Sequence, residues 1–284
     1  MRNFIIRTIT GLLFAATLIA SIVYSPFTLI ALFSVIAGLT IWEFSSIVNK
    51  HANASVNTLI NSVAGFYLVC AVGGFSFGYT GAKEFIPYLI TLIYLLISEL
   101  YRRAEDPLKN WAYAFASQVY IALPFSLLAF LGSWYDPFTN KISYEFIMPL
   151  SVFIFLWMSD SGAYLCGSLL SRYIPAKLFP RISPSKSWIG SVGGGLLCVA
   201  VALVIHNFFP SFRDMTALQW VGLALTVCIS GTYGDLIESM LKRQLGIKDS
   251  GNILPGHGGF LDRFDSSLLA IPATIIYLYC VGVC

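Results

Sequence analysis

The chain has 284 residues, 57% of them hydrophobic and 11% charged, with a mean hydropathy of +0.77. Soluble domains carry about 45–50% apolar and about 25% charged residues, so these values exclude an ordinary soluble domain and point to the membrane. The net charge of +3 is too small a surplus to argue for a nucleic-acid partner; basic residues beside spans report topology and attraction to anionic headgroups.

The opening stretch, MRNFIIRTITGLLFAATLIASIVYSP, places two arginines before an apolar run, as a signal peptide does. Similar runs fill the rest of the chain, so a retained first span is expected. A crossing helix needs about 20 mostly apolar residues. Nine stretches qualify, at about 5–23, 27–47, 57–78, 85–100, 112–132, 147–170, 187–207, 217–237 and 266–283. The expected fold is an all-α integral membrane protein of about nine transmembrane helices. One multispan domain covers 1–284, with N-terminal spans in 1–135 and catalytic spans and loops in 145–284. The six cysteines lie in or beside apolar runs without a CxxC pair, which reads as small buried hydrophobes rather than disulfides or zinc ligands.

Of the 17 Lys and Arg, only Lys83, Lys141 and Arg213 fall on the far side of such a membrane; the other fourteen share the side of the N-terminus. The positive-inside rule then puts the N-terminus in the cytoplasm and the C-terminus outside.

Polar residues interrupt the apolar pattern at three places. The sixth span ends WMSDSGAY, so Asp160 stands in an apolar run, and the loop after it carries Lys177, Arg181 and Lys186. The charge rule explains those cations but not the aspartate. The eighth span ends GDLIESMLKR; Asp235, Ser239 and Lys242 are spaced to share one helix face, with Glu238 beside them. A carboxylate within a span costs about 2.5–3.5 kcal/mol on insertion scales and marks a functional candidate. The bland alternative is an ion pair from Asp235 to Lys242 or to an arginine that only joins helices. The third place is PGHGGFLDRFDS, residues 255–266. Its glycines let backbone approach a ligand, Arg263 offers a fork suited to phosphate, and Asp262 and Asp265 share a face if a helix has begun. Oxygen donors among cations suit Mg²⁺ bridging to substrate phosphates. With no Ser-His-Asp, Cys-His or P-loop pattern visible, a nucleophile supplied by the substrate fits this inventory best.

These residues carry a resemblance. Ser239, Lys242, Arg243, Lys248, Asp249, Gly251, Leu254, Pro255, His257, Gly258, Gly259, Asp262, Arg263 and Asp265 match the signature of the phosphatidate cytidylyltransferase (CDP-diacylglycerol synthase) family at every fixed position. GDLIES at 234–239 also matches, and SDSGAY around Asp160 is similar to the family's SDTxAY. The loop ISPSKSWIG departs from the usual ISPKKTxEG at Ser185 and Ile189, and Ser168 stands where an arginine is common; Lys186 and Gly190 remain.

The resemblance implies transfer of CMP from CTP to phosphatidic acid, giving CDP-diacylglycerol and pyrophosphate for phospholipid biosynthesis. It implies a multi-pass protein of the cell (inner) membrane, dimeric, with a cytoplasm-facing polar active site. Asp235 and Asp262 are implied as Mg²⁺ ligands, with Asp265 and Asp160 as further candidates and a monovalent cation such as K⁺ nearby. Asp235, Lys242, Asp262 and His257 form the expected catalytic set; Ser239, Arg243, Lys248, Arg263 and Lys186 are expected to bind substrate. Two alternatives stand beside it. A transporter would explain Asp160 and Asp235 as coupling-ion sites, but has no use for the HGG-DRFD loop and would carry an inverted repeat. An enzyme acting on another lipid, such as a polyprenol, is the nearer rival.

Overall fold

The structure, a computed structural model, describes residues 2–136, 140–170, 172–209, 212–251 and 258–283, with side chains from residue 8 onward. Nine helices run through the described residues: α1 Arg2–Tyr24, α2 Pro26–His51, α3 Thr58–Ser76, α4 Ile86–Tyr101, α5 Pro107–Gly132, α6 Ile147–Leu170, α7 Trp188–Phe208, α8 Ala217–Gln244 and α9 Phe260–Cys280. They lie where the nine apolar stretches placed them. Seven, α2 to α8, are long and apolar enough to cross a membrane, so the chain is an all-α, multi-pass membrane protein. The count differs from nine at the two ends. The described apolar part of α1 is Thr8–Tyr24, and α9 opens with Asp262, Arg263 and Asp265, which dilute its apolar run.

Helix boundaries follow from local chemistry. Ser25 precedes Pro26 and accepts from the Thr28 amide at 3.2 Å, while Thr28 Oγ1 accepts from the Ser25 amide at 3.1 Å, forming a reciprocal cap. Asn57 caps α3, and Asp106, just before Pro107, caps α5 through the Lys109 amide at 3.0 Å. Thr216 and Gln219 cap α8 in the same reciprocal way. Within α5 a π-helical stretch, Gln118–Ala122, rotates the register.

Two short antiparallel hairpins, which no span pattern foretold, sit between helices: β1 Ser133–Asp136 with β2 Lys141–Tyr144, and β3 Lys177–Phe179 with β4 Ser183–Ser187. The second is the basic loop after α6. Its register sets Lys177 opposite Ser187, the residue that caps α7 through the Gly190 amide.

The chain forms two compact units. Unit 1, residues 1–150 and 245–264, contains α1 to α5 and the start of α9. Its core is the packing of α2 on α3, with Phe33, Ile41 and Phe125 fully buried. One group of buried polar side chains there is mutually satisfied, as an apolar interior favours. Asn61 donates to Ser45 and Ser117, and Gln118 donates to the Asn61 carbonyl and side chain at 2.9 Å. Unit 2, residues 151–244 and 265–284, contains most of α6, the β3–β4 hairpin, α7, α8 and the rest of α9. Trp220, Leu223, Val227 and Phe155 form its core.

Candidate active site

In unit 2 the polar end of α8 meets the hairpin and the part of α9 that begins at Asp265. Ser239 donates to Asp235 Oδ1 at 3.2 Å, as residues one turn apart on one face should. Asp235 Oδ2 meets Lys186 Nζ at 2.5 Å, and the same ammonium reaches the Thr232 carbonyl at 3.4 Å. Lys242 pairs with Glu238 at 2.6 Å. The partner of Asp235 is thus a hairpin lysine rather than Lys242. Lys242 lies two turns from Asp235 but one turn from Glu238, whose carboxylate is fully buried and needs a counter-charge.

Gly234 allows α9 to approach. A Cβ at that position would lie 2.7 Å from the Asp265 carbonyl and 3.0 Å from Ser266 Cα. This close approach lets Asp235, Glu238 and Asp265 each offer a carboxylate oxygen within 4.8 Å of the others. Lys186 and Lys242 bring two positive charges to these three carboxyl groups. The donor set is all oxygen, without thiol or imidazole, and suits a hard divalent cation such as Mg²⁺.

Beside the trio opens a cleft of about 360 Å³, lined by Asp160, Lys177, Lys186, Asp235 and Ser266 among others. Two of the departures from the family pattern, Ser185 and Ser168, also line it. The cleft therefore brings together Asp160, Lys186 and Asp235 from the expected set, and adds Lys177.

The other expected residues lie elsewhere. Asp262 and Arg263 occupy the first turn of α9 within unit 1. Asp262 Oδ2 accepts from the Ser250 amide at 2.9 Å, the Ser250 hydroxyl at 2.9 Å and the Gly259 amide at 3.1 Å. The helix has begun by Phe260, so Asp262 and Asp265 share a face of it. Arg243, Lys248 and Arg263 are solvent-exposed. His257 lies outside the described residues.

A model of the cytidylyltransferase family matches residues 5–281. The chain belongs to that family. It is 36% identical to the phosphatidate cytidylyltransferase of Staphylococcus saprophyticus over 193 residues, 67% of this chain and 68% of that protein. The enzymes of that name from S. haemolyticus and S. epidermidis are 44% and 40% identical, over 45% and 53% of this chain and 48% and 56% of theirs. The chain thus aligns with about two thirds of the first relative and about half of the other two.

Sequence reasoning on this cytidylyltransferase family member does not single out three residues, Glu238 and Lys177 in unit 2 and Glu43 in unit 1. Glu238 reads in the sequence only as a neighbour of Asp235, although a glutamate within a helix of this apolar character is itself a signal. Lys177 was absorbed by the charge rule. Glu43 is a lone carboxylate in the apolar run of α2, the same kind of signal that singled out Asp160.

Proposed function

We propose that the protein transfers CMP from CTP to phosphatidic acid, giving CDP-diacylglycerol and pyrophosphate, in the cell (inner) membrane. The observation that carries this reading is the unit 2 cleft, where Lys177 and Lys186 face Asp160 and Asp235 beside a carboxylate trio. Family membership supplies the nucleotide, and the relatives' name supplies the lipid.

The lipid's phosphate monoester has a second pKa near ~6, as phosphoserine does, so at neutral pH it is mostly a dianion. One of its oxygens attacks the α-phosphorus of CTP. The new O–P bond forms as the bond from the α-phosphorus to the bridging oxygen breaks, and pyrophosphate departs with that electron pair. Two anions must first be held together, and the cations do this. Lys177 and Lys186 bind phosphate oxygens in the cleft, with Lys242, Arg243, Lys248 and Arg263 as further phosphate ligands and His257 positioning substrate. Asp235 and Asp262 would hold Mg²⁺, with Asp265, Asp160 and Glu238 as further oxygen donors and a monovalent cation such as K⁺ nearby. The chemistry Mg²⁺ supplies when bound is neutralisation of charge on the phosphates. Lys186 and Ser239 hold the Asp235 carboxylate in place. The charge asymmetry supports a cytoplasmic face for this site, and the resemblance supports a homodimer as the working unit.

The test is product analysis with purified protein, Mg²⁺, CTP labelled at the α-phosphate, and a panel of phosphatidate, polyprenyl phosphate and diacylglycerol. Label should enter CDP-diacylglycerol from phosphatidate with one pyrophosphate released. Asp235→Asn should lower that rate at least ~100-fold, the loss of a major electrostatic contribution. Label passing only to a polyprenyl acceptor, or an Asp235→Asn enzyme at wild-type rate, would refute the lipid or the residue respectively.

A further inference from the structure

Glu43 is 4% exposed, on a helix whose neighbouring side chains Ile41 and Phe44 are equally buried. A carboxylate in such surroundings is costly unless hydrogen bonds satisfy it. Its donors come from the signature segment. Glu43 Oε2 accepts from the Phe260 amide at 2.8 Å, and Oε1 accepts from the Leu261 amide at 3.2 Å and from the Ser250 hydroxyl.

The first amides of a helix have no partners within it, and the positive end of the helix favours an anion. These needs are usually met by a residue next to the helix. Here the cap of α9 arrives from α2, 217 residues earlier. Gly259 completes the fit, since any Cβ there would collide with the Glu43 carboxylate and the Ser250 hydroxyl. One turn on, Phe264 is wedged against Phe14, Phe33 and Phe125, with ring centroids 5.5, 6.2 and 5.3 Å away. Glu43 and this aromatic group together fix the position and rotation of the first turn of α9.

That turn carries Asp262. Ser250 connects the two carboxylates, its hydroxyl touching both Glu43 Oε1 and Asp262 Oδ2. A hydroxyl has one proton to donate. When it goes to Glu43, Asp262 Oδ2 is held by the Ser250 and Gly259 amides, which leaves its direction set by backbone that Glu43 itself anchors.

We propose that Glu43 is a positioning residue for nucleotidyl transfer: without touching substrate, it clamps the start of α9 and so aims the Asp262 carboxylate. This rests on the reading of Asp262 as a metal ligand.

The experiment uses the full-length protein in detergent, as wild type, Glu43→Gln and Asp262→Asn. Gln keeps the size of Glu43 but turns one of its two acceptor oxygens into a donor, so an amide of α9 loses its partner. Hydrogen–deuterium exchange of the peptide covering 258–264, without metal or CTP, reads the clamp directly. In Glu43→Gln that exchange should accelerate ~10-fold or more while α3 exchanges as in wild type. In the assay, kcat should fall ~10- to 100-fold and the Mg²⁺ half-saturation should rise several-fold, with KM for phosphatidate within about twofold, as for loss of a group that orients a metal ligand. If Glu43→Gln does not fold, Glu43→Asp, which keeps both oxygens but withdraws them by one methylene, must show the same pair of changes.

Faster exchange with wild-type kcat and Mg²⁺ half-saturation would overturn the proposal, leaving Glu43 a structural cap. Unchanged exchange would overturn it too. Asp262→Asn separates the two levels: an inactive Asp262→Asn beside a normal Glu43→Gln defeats only the role of Glu43, whereas an Asp262→Asn enzyme with normal Mg²⁺-dependent turnover defeats the metal reading beneath it.

Discussion

Lys186 Nζ lies 2.5 Å from Asp235 Oδ2, so the hairpin after α6 supplies the counter-charge for the carboxylate of α8. Both side chains remain partly exposed, at 23% and 32%, so the pair can open to admit a phosphate. Lys186→Met keeps most of the stem and removes the charge. It should raise KM for CTP and lower kcat/KM by ~10- to 100-fold, since charge-assisted phosphate contacts are among the stronger ones. Initial rates against CTP concentration measure this, and values within twofold of wild type would show the pair to be a helix-joining contact only.

Gly234 makes a sharper stereochemical prediction. In an exposed helix Gly→Ala stabilises by roughly 0.5–1 kcal/mol. At this position the new methyl would meet backbone, 2.7 Å from the Asp265 carbonyl, which cannot swing aside as a side chain can. Gly234→Ala should therefore destabilise by ~1–3 kcal/mol and spread Asp235 from Asp265, cutting activity along with the melting temperature. A variant that melts at or above the wild-type temperature would mean that α8 and α9 do not approach so closely.

Topology can be read by labelling. Lys248 and Lys141 are exposed and fall on opposite sides in the charge pattern. Single cysteines there, in a background stripped of the native ones, should react with an impermeant maleimide from opposite faces of the membrane, Lys248→Cys from the cytoplasmic one. Labelling of both from one face would break an arrangement in which α6, α7 and α8 each cross the membrane.

The helices were legible because each carries a long apolar run, a pattern local in the sequence. The column of Asp235 and Ser239 was legible for the same reason: helical spacing alone brings them together. Pairings that depend on tertiary contact were not. Nothing in spacing joins Lys186 to Asp235 across 49 residues or Glu43 to Phe260 across 217. Lys242 was expected near Asp235 because both face one way, yet the buried Glu238 stands closer and holds it. The β3–β4 hairpin was hidden because its strands are three and five residues long, too short for an alternating pattern to show.

In the proposed mechanism phosphatidate attacks CTP directly, with no covalent intermediate on the protein. CTP made chiral at the α-phosphorus with sulfur tests this in one measurement. A single in-line displacement predicts thio-CDP-diacylglycerol of inverted configuration, with pyrophosphate as the only other product. Net retention, or a kinetically competent nucleotidyl-protein adduct, would require two displacements and a protein nucleophile, and would contradict the mechanism. Thio-CMP that never reaches the lipid would contradict the function itself.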